Sequence, residues 1–250
     1  PPGLMFPVAL PASDRRRQGI SMFDAGDLAR SAVAGAGSPT AADRNDRAMA
    51  DFKLHCFAQS GNAYKVAMML DLCGADWEPV FVDYFGGATR GSEFREGISE
   101  LGEVPVLEHD GQRLSQSGVI LDYLAGQLGR FGAETEAERR EIWRWILFDN
   151  HKFTSYFATH RWLRHLAEPK GHPEVIAFLA ARARGALATA EKRLSARPFI
   201  VGDRPTIADI SMAGYMFYPV EETGFDLDRE FPAVAAWADR LSELPGWRAP

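Results

Sequence analysis

The sequence predicts two domains of different class, an α/β domain followed by an all-helical bundle. Three observations predict it. Between Phe52 and Leu128 the apolar pattern switches repeatedly between short strand-like runs and helical spacing. From about Glu136 onward every element reads as helix. Between the halves lies "LGRFGAETE", Leu128 to Glu136, whose glycines and charges suit a linker. Strands and helices segregated in this way mark separate domains. The divisions are 1–50, an extension; 51–128, the α/β domain; 129–135, the linker; and 136–250, the helical domain.

Residues 1–50 hold six Arg, five Asp and no Lys, with Phe6 and Phe23 as their only aromatics. Such a segment buries too little apolar surface to offset the entropy of ordering, so a disordered, dispensable extension is expected. The remainder is ordinary for a globular chain. The 250 residues carry a formal charge of −6 and 46% hydrophobic content. A mild acidic balance argues against nucleic-acid binding. No run approaches the roughly 18 apolar residues of a membrane span. Cys56 and Cys73 make no disulfide framework and have no metal-ligand spacing, which suits a reducing cytoplasm and no metal.

"FKLHCF" (52–57) reads as the first strand. In "SGNAYKVAMMLDLCG", Val66, Met69, Leu70 and Cys73 keep helical spacing, and Gly74 is a stop. Tyr64 and Lys65 are expected on that helix's surface. "EPVFVDYF" is a second strand, and residues 86–101 hold at most a short helix. Val106–Glu108 and Gln112–Leu114 form a hairpin across Asp110-Gly111, a strong turn signal. The helix from Gln116 places Val119, Ile120, Tyr123 and Leu124 on one face. Beyond the linker, helices are expected at about 136–167, 173–195, 206–220 and 232–243. Thr206 with Asp209 three residues later is close to a capping box. Phe153, Tyr156, Phe157 and His160 share one helical face.

Two features stand out in "GEVPVLEHDGQRLSQSGVILDYL", Gly102 to Leu124. Pro105 opens a strand, although proline cannot donate to a sheet. About a dozen residues later Gln116 and Ser117 open a helix, whose unpaired N–H groups and dipole favour an anion.

Strand, helix, strand, short helix, strand, strand, helix, with proline opening the third strand, resembles the thioredoxin-like arrangement. With "GEVPVL", "QSGVILDYL" and "RPFIVGDRPTIADIS" together, the chain resembles the cytosolic glutathione transferases over nearly all of Asp51–Trp247. The resemblance implies the glutathione transferase fold, a thioredoxin-like glutathione-binding domain followed by a helical bundle. It implies a cytoplasmic homodimer in detoxification, with glutathione as co-substrate. The enzyme would activate glutathione as a thiolate for attack on a small hydrophobic electrophile. Two other readings stay open: a glutathione-dependent disulfide or peroxide reductase, and a non-catalytic binding or scaffold module, since fold does not fix function.

The resemblance also implies site roles. A cis Pro105 would present the backbone of Val104 to the cysteinyl unit of glutathione. The helix start at Gln116 and Ser117 would seat the γ-glutamyl carboxylate, with Ser117 as added donor. Where Gln116 stands, the family often has Glu. In "CFAQSGNAYKV", Ser60 occupies the place of the serine-type hydroxyl, and Asn62 matches the second position of the hydroxyl-x-Asn pair of the nu branch. Cys56 replaces the tyrosine of the tyrosine-type branches and reads as a buried strand residue. Activation by Ser60 and by Asn62 are both open. The face of Phe153, Tyr156, Phe157 and His160 would line the electrophile pocket or pack in the core. "SELG" replaces the usual "NPxG" before the proline. For the glycine carboxylate, Arg90 and Arg95 are both candidates.

One donor suffices energetically. An unperturbed thiol has a pKa near 8.5. Lowering it by about two units takes roughly 2.7 kcal/mol. A hydrogen bond to a charged group supplies about 1.5–3 kcal/mol.

Overall fold

A computed structural model describes residues 50–250; the extension expected over residues 1–50 lies almost wholly outside the described residues. Four strands form one mixed sheet in the order β2-β1-β3-β4. β1 (Phe52–Cys56) pairs in parallel with β2 (Trp77–Phe81), Leu54 opposite Pro79. The crossover that a parallel pair requires is α1 (Gly61–Cys73). Gly74, at φ 66°, closes this helix in the left-handed conformation that glycine adopts readily. β3 (Val106–His109) runs antiparallel to β1, and β4 (Gln112–Ser115) antiparallel to β3. Their hairpin turns at Asp110 and Gly111, both at positive φ, the geometry that the Asp-Gly pair favours. A short helix α2 (Ser92–Gly97) lies between β2 and β3 and buries Phe94.

The helix after β4, α3 (Ser117–Leu128), packs beside α1 and buries Ile120, Leu121 and Leu124. The expected face is thus rotated: Val119 is 46% exposed, while Leu121 is buried. Helix α1 also departs from expectation. Tyr64 and Lys65 are both fully buried, because α1 lies between the sheet and the helical domain and meets packing all round. Tyr64 Oη donates to the Arg248 carbonyl at 2.7 Å. Lys65 Nζ donates to Asp149 Oδ2 at 2.7 Å and to Thr154 Oγ1 at 3.0 Å.

The long helix expected at 136–167 is interrupted. α4 (Glu136–Phe148) opens on Thr135, whose hydroxyl accepts from Glu138 N at 3.1 Å. A π turn follows at Asp149–Phe153, then α5 (Thr154–Arg161), then a second π turn at Trp162–Leu166. The first wider turn carries Asp149 inward, where its carboxylate receives Lys65, Thr154 and Ser211.

α6 (Pro173–Leu194) begins with proline at its first position, where no N–H is needed. The helix expected at 206–220 is shorter. α7 (Ile207–Met212) tightens to a 3₁₀ turn at Ala213–Tyr215, where its backbone meets α1. A Cβ on Gly214 would lie 2.7 Å from the Gly61 carbonyl oxygen and 2.6 Å from Lys65 Cε. The capping box at Thr206 and Asp209 is present. The Asp209 carboxylate also accepts from Ile200 N at 2.8 Å and Trp237 Nε1 at 2.9 Å, tying α7 to α10 (Pro232–Ser242). Two short turns of helix, α8 (Val220–Thr223) and α9 (Leu227–Glu230), precede α10.

Candidate active site

A cleft of about 790 Å³ opens between the two domains. Its floor on the α/β side is made by three chain reversals: the β1–α1 turn, the turn before β3, and the start of α3. The structure brings Ser60, Asn62, Val104, Pro105, Gln116 and Ser117 to this one cleft.

Ser60 is the N-cap of α1. Its backbone is extended (φ −85°, ψ 104°), and its Oγ accepts from Ala63 N at 3.1 Å. That bond uses a lone pair and leaves the hydroxyl proton available to an acceptor in the cleft. Asn62 lies two residues on, in the first turn of α1 and half-buried. Cys56 is buried in β1 away from the cleft, and burial pushes its thiol up to about 12. Neither it nor Cys73, whose thiol is also raised by burial, supplies a thiolate at neutral pH.

The Val104–Pro105 peptide is cis, and Val104 stands outside the ladder that begins at Val106. Gln116 holds φ 68°, a left-handed value for a non-glycine residue and one that concentrates at ligand clamps. Its Nε2 donates to Glu103 Oε2 at 2.8 Å, so Glu103 joins the site through Gln116. Its presence inside the "GEVPVL" motif was the only sequence signal for it. Ser117, buried, is the first residue of α3. Arg90 and Arg95 both line the cleft, and Arg95 Nη1 also donates to the Glu100 carbonyl at 3.1 Å. Both candidates for the glycine carboxylate therefore remain at this end. Among the charged lining residues Arg90 and Arg95 outnumber Glu103, while the third arginine, Arg161, is paired with Glu222. An anionic ligand suits that balance.

Of the aromatic face expected to line the electrophile pocket or to pack in the core, none borders this cleft. Phe153 and Phe157 are each 1% exposed and His160 is buried. Phe157 and His160 pack on Phe225, with ring centroids 4.8 Å and 5.2 Å away, and Tyr156 packs against the same core. The largest apolar rings of α5 turn inward because they remove the most area from water. The opposite face, with Asn150, Thr154 and Ala158, borders the cleft. Aromatic walls come from elsewhere: Phe57 and Tyr84 stack with centroids 4.5 Å apart, Trp162 meets Tyr84 edge-on at 6.0 Å, and Tyr215 completes the group.

Sequence reasoning also missed Arg161. It is buried, and its guanidinium donates to the Gln59 carbonyl at 2.7 Å and to Glu222 Oε2 at 2.9 Å, while lying 3.8 Å over the Tyr218 ring. No local pattern distinguishes it from the surface arginines around it. Among the described residues no cluster of His, Cys, Asp or Glu is arranged to hold a metal ion, and no helix is long and apolar enough to cross a membrane.

Comparison with known proteins identifies the family. Residues 50–126 match the family model "Glutathione S-transferase, N-terminal domain", and residues 158–245 match "Glutathione S-transferase, C-terminal domain". A crystal structure of a glutathione S-transferase from Pseudomonas fluorescens superposes with a TM-score of 0.73 at 33% identity, covering 80% of this chain and 98% of that one. Glutathione S-transferase F14 of Arabidopsis thaliana is 28% identical over 211 residues, 80% of this chain and 83% of its own length. A disulfide-bond oxidoreductase of Escherichia coli is 26% identical over 196 residues, 76% of this chain and 89% of its own. With a thioredoxin-like sheet, a cis proline before β3, a helical second domain and both family models matched, the chain belongs to the glutathione S-transferase family.

Proposed function

We propose that this protein is a glutathione transferase that binds glutathione in the cleft and ionises its thiol for attack on a small hydrophobic electrophile. The observation that carries this reading is the Ser60 hydroxyl at the start of α1. It is oriented by Ala63 N and lines the same cleft as the Val104–Pro105 turn and Ser117. Val104 offers its main chain to the cysteinyl unit as one strand adds to another. Ser117 and the first N–H groups of α3 receive the γ-glutamyl carboxylate. The glycine carboxylate falls to Arg90 or Arg95. The Ser60 proton then points to sulfur. A donor to a charged acceptor stabilises it by about 1.5–3 kcal/mol, or about one to two pKa units. The thiolate lone pair forms the new S–C bond, and the leaving group departs with the bonding pair of the electrophile.

Asn62 beside Ser60, and the similarity to a disulfide-bond oxidoreductase, favour a second reaction at the same site. There the glutathione thiolate attacks a disulfide sulfur and expels the other sulfur as a thiolate. A second glutathione then resolves the mixed disulfide. Both reactions suit a reducing cytoplasm, where glutathione is kept as the thiol. Phe81, Val119 and Leu147 are large apolar side chains left exposed, and pairing of two copies would cover residues of this kind.

The test is calorimetric titration with glutathione, then turnover of an aryl halide and of a mixed disulfide by the parent, Ser60→Ala and Asn62→Ala. Micromolar to millimolar binding with Ser60-dependent turnover is expected. Lack of glutathione binding by the parent would reject the reading and leave the scaffold alternative. Loss in Asn62→Ala alone would move the activating role to Asn62.

A further inference from the structure

We propose that Tyr215 is a second catalytic hydroxyl, donated from the helical domain to the glutathione sulfur beside Ser60. The inference rests on the glutathione reading above and concerns a residue outside the thioredoxin-like domain.

Tyr215 ends the 3₁₀ turn at which the helical domain meets α1. Its ring lies directly on the first residue of that helix: a Cβ added to Gly61 would sit 2.6 Å from both Cε2 and Cζ. Cζ carries the hydroxyl, so the polar end of the ring, not its edge near Cβ, faces the helix start. The hydroxyl-bearing end of the ring therefore stands beside the Gly61 main chain. The Gly61 N–H is one of the first-turn donors that a helix cannot satisfy internally.

Ser60 sits at the same helix start, where its oxygen accepts the Ala63 N–H. Accepting such a bond polarises the Ser60 O–H and strengthens it as a donor. Ser60 and Tyr215 both line the cleft, with Asn62 beside them. A thiolate there meets a serine from one domain and a tyrosine from the other.

The ring is held in place. Tyr215 is 7% exposed and packs between Phe157 and Tyr218, with centroids 6.3 Å and 5.8 Å away. Burial pushes its pKa up to about 12, with Asp149 and Tyr84 adding to the rise and Arg161 and the Gly61 main chain opposing it. The phenol therefore keeps its proton throughout the neutral range and acts as a donor rather than a base. The sulfur proton leaves to water, and the tyrosine proton remains on oxygen.

A tyrosine that only seals the domain interface would change stability and nothing else. The distinguishing readout is the thiol titration, followed by ultraviolet thiolate absorbance of the glutathione complex. Removing the hydroxyl in Tyr215→Phe is expected to raise the bound thiol pKa by about one unit, about tenfold less thiolate at any pH below it. Ser60→Ala with Tyr215→Phe is expected to shift it further than either change alone. Incorporation of 3-fluorotyrosine at 215, which keeps ring and hydroxyl but sharpens the donor, is expected to lower the pKa. A titration of Tyr215→Phe and of the fluorinated protein that coincides with the parent, while Ser60→Ala shifts, overturns the role of Tyr215 alone. A parent that binds no glutathione, or binds it without forming thiolate, overturns the underlying reading and this inference with it.

Discussion

Arg161 Nη1 donates to the Gln59 main-chain oxygen at 2.7 Å, so a side chain of the helical domain holds the residue that precedes Ser60. Tyr218 Oη supports the adjacent Ala58 carbonyl at 3.2 Å, beneath the Arg161 guanidinium. Together they set the height of the β1–α1 turn relative to the cleft. Misplacing a reacting group by about 1 Å costs up to about a hundredfold in rate. Arg161→Gln is therefore expected to lower turnover by roughly tenfold to a hundredfold, with glutathione affinity changed much less. Steady-state kinetics alongside calorimetry separate the two effects. An equal loss in affinity and turnover would show that Arg161 binds glutathione instead of positioning the turn.

Lys65 and Asp149 form an ion pair in which both side chains are 0% exposed, between α1 and the π turn of the helical domain. Thr154 and Ser211 complete the carboxylate's partners. Breaking a buried pair leaves one charge without its counterion and typically costs about 3–5 kcal/mol. Lys65→Met and Asp149→Leu are each expected to destabilise by that order. The double replacement is expected to cost less than the sum, because no charge is stranded. Denaturant melts of the four proteins measure the cycle; simple additivity would contradict the coupling.

Ser117, buried at the first position of α3, is assigned a hydroxyl bond to the γ-glutamyl carboxylate. Ser117→Ala removes one donor to a charged acceptor. Affinity for glutathione should fall several-fold, with the bound thiol's titration unaltered. Calorimetry giving the parent affinity would remove Ser117 from the site.

Glu141 titrates in the acid range. The hydrogen-bonded Arg144 guanidinium, aided by Trp145 and the Arg193 charge, holds its carboxyl at about 2, against the opposing effect of burial. Its folded pKa is thus depressed below an unfolded value of 4.5. The stabilisation is present above pH 4.5 and lost as pH falls towards about 2. Its size is modest because 31% of the side chain faces water, where screening weakens ion pairs. Glu141→Gln should flatten the stability profile across that window and leave a constant offset above it. A parallel acid-denaturation curve for the variant and the parent would contradict the assignment.

Local chemistry by itself determined much of this protein. Asp110-Gly111 specifies a hairpin because both residues tolerate positive φ, and the pair turns there. Thr206 and Asp209 cap α7 within four residues of chain. Proline at the start of β3, followed by Gln116 and Ser117, was readable because turn and helix start are neighbours across one hairpin. What tertiary structure alone decided are relationships between distant residues. Lys65 looks like a solvated helix lysine until Asp149, 84 residues away, buries its charge. Periodicity marks the face carrying Phe153 and Phe157 as apolar, but not whether it meets the cleft or the core. The core took those rings, and the small and polar face was left to the cleft. Arg161 and Tyr215 carry no local signature at all. They reach the start of α1 only because the two domains dock, and docking depends on complementary surfaces formed after each segment has folded.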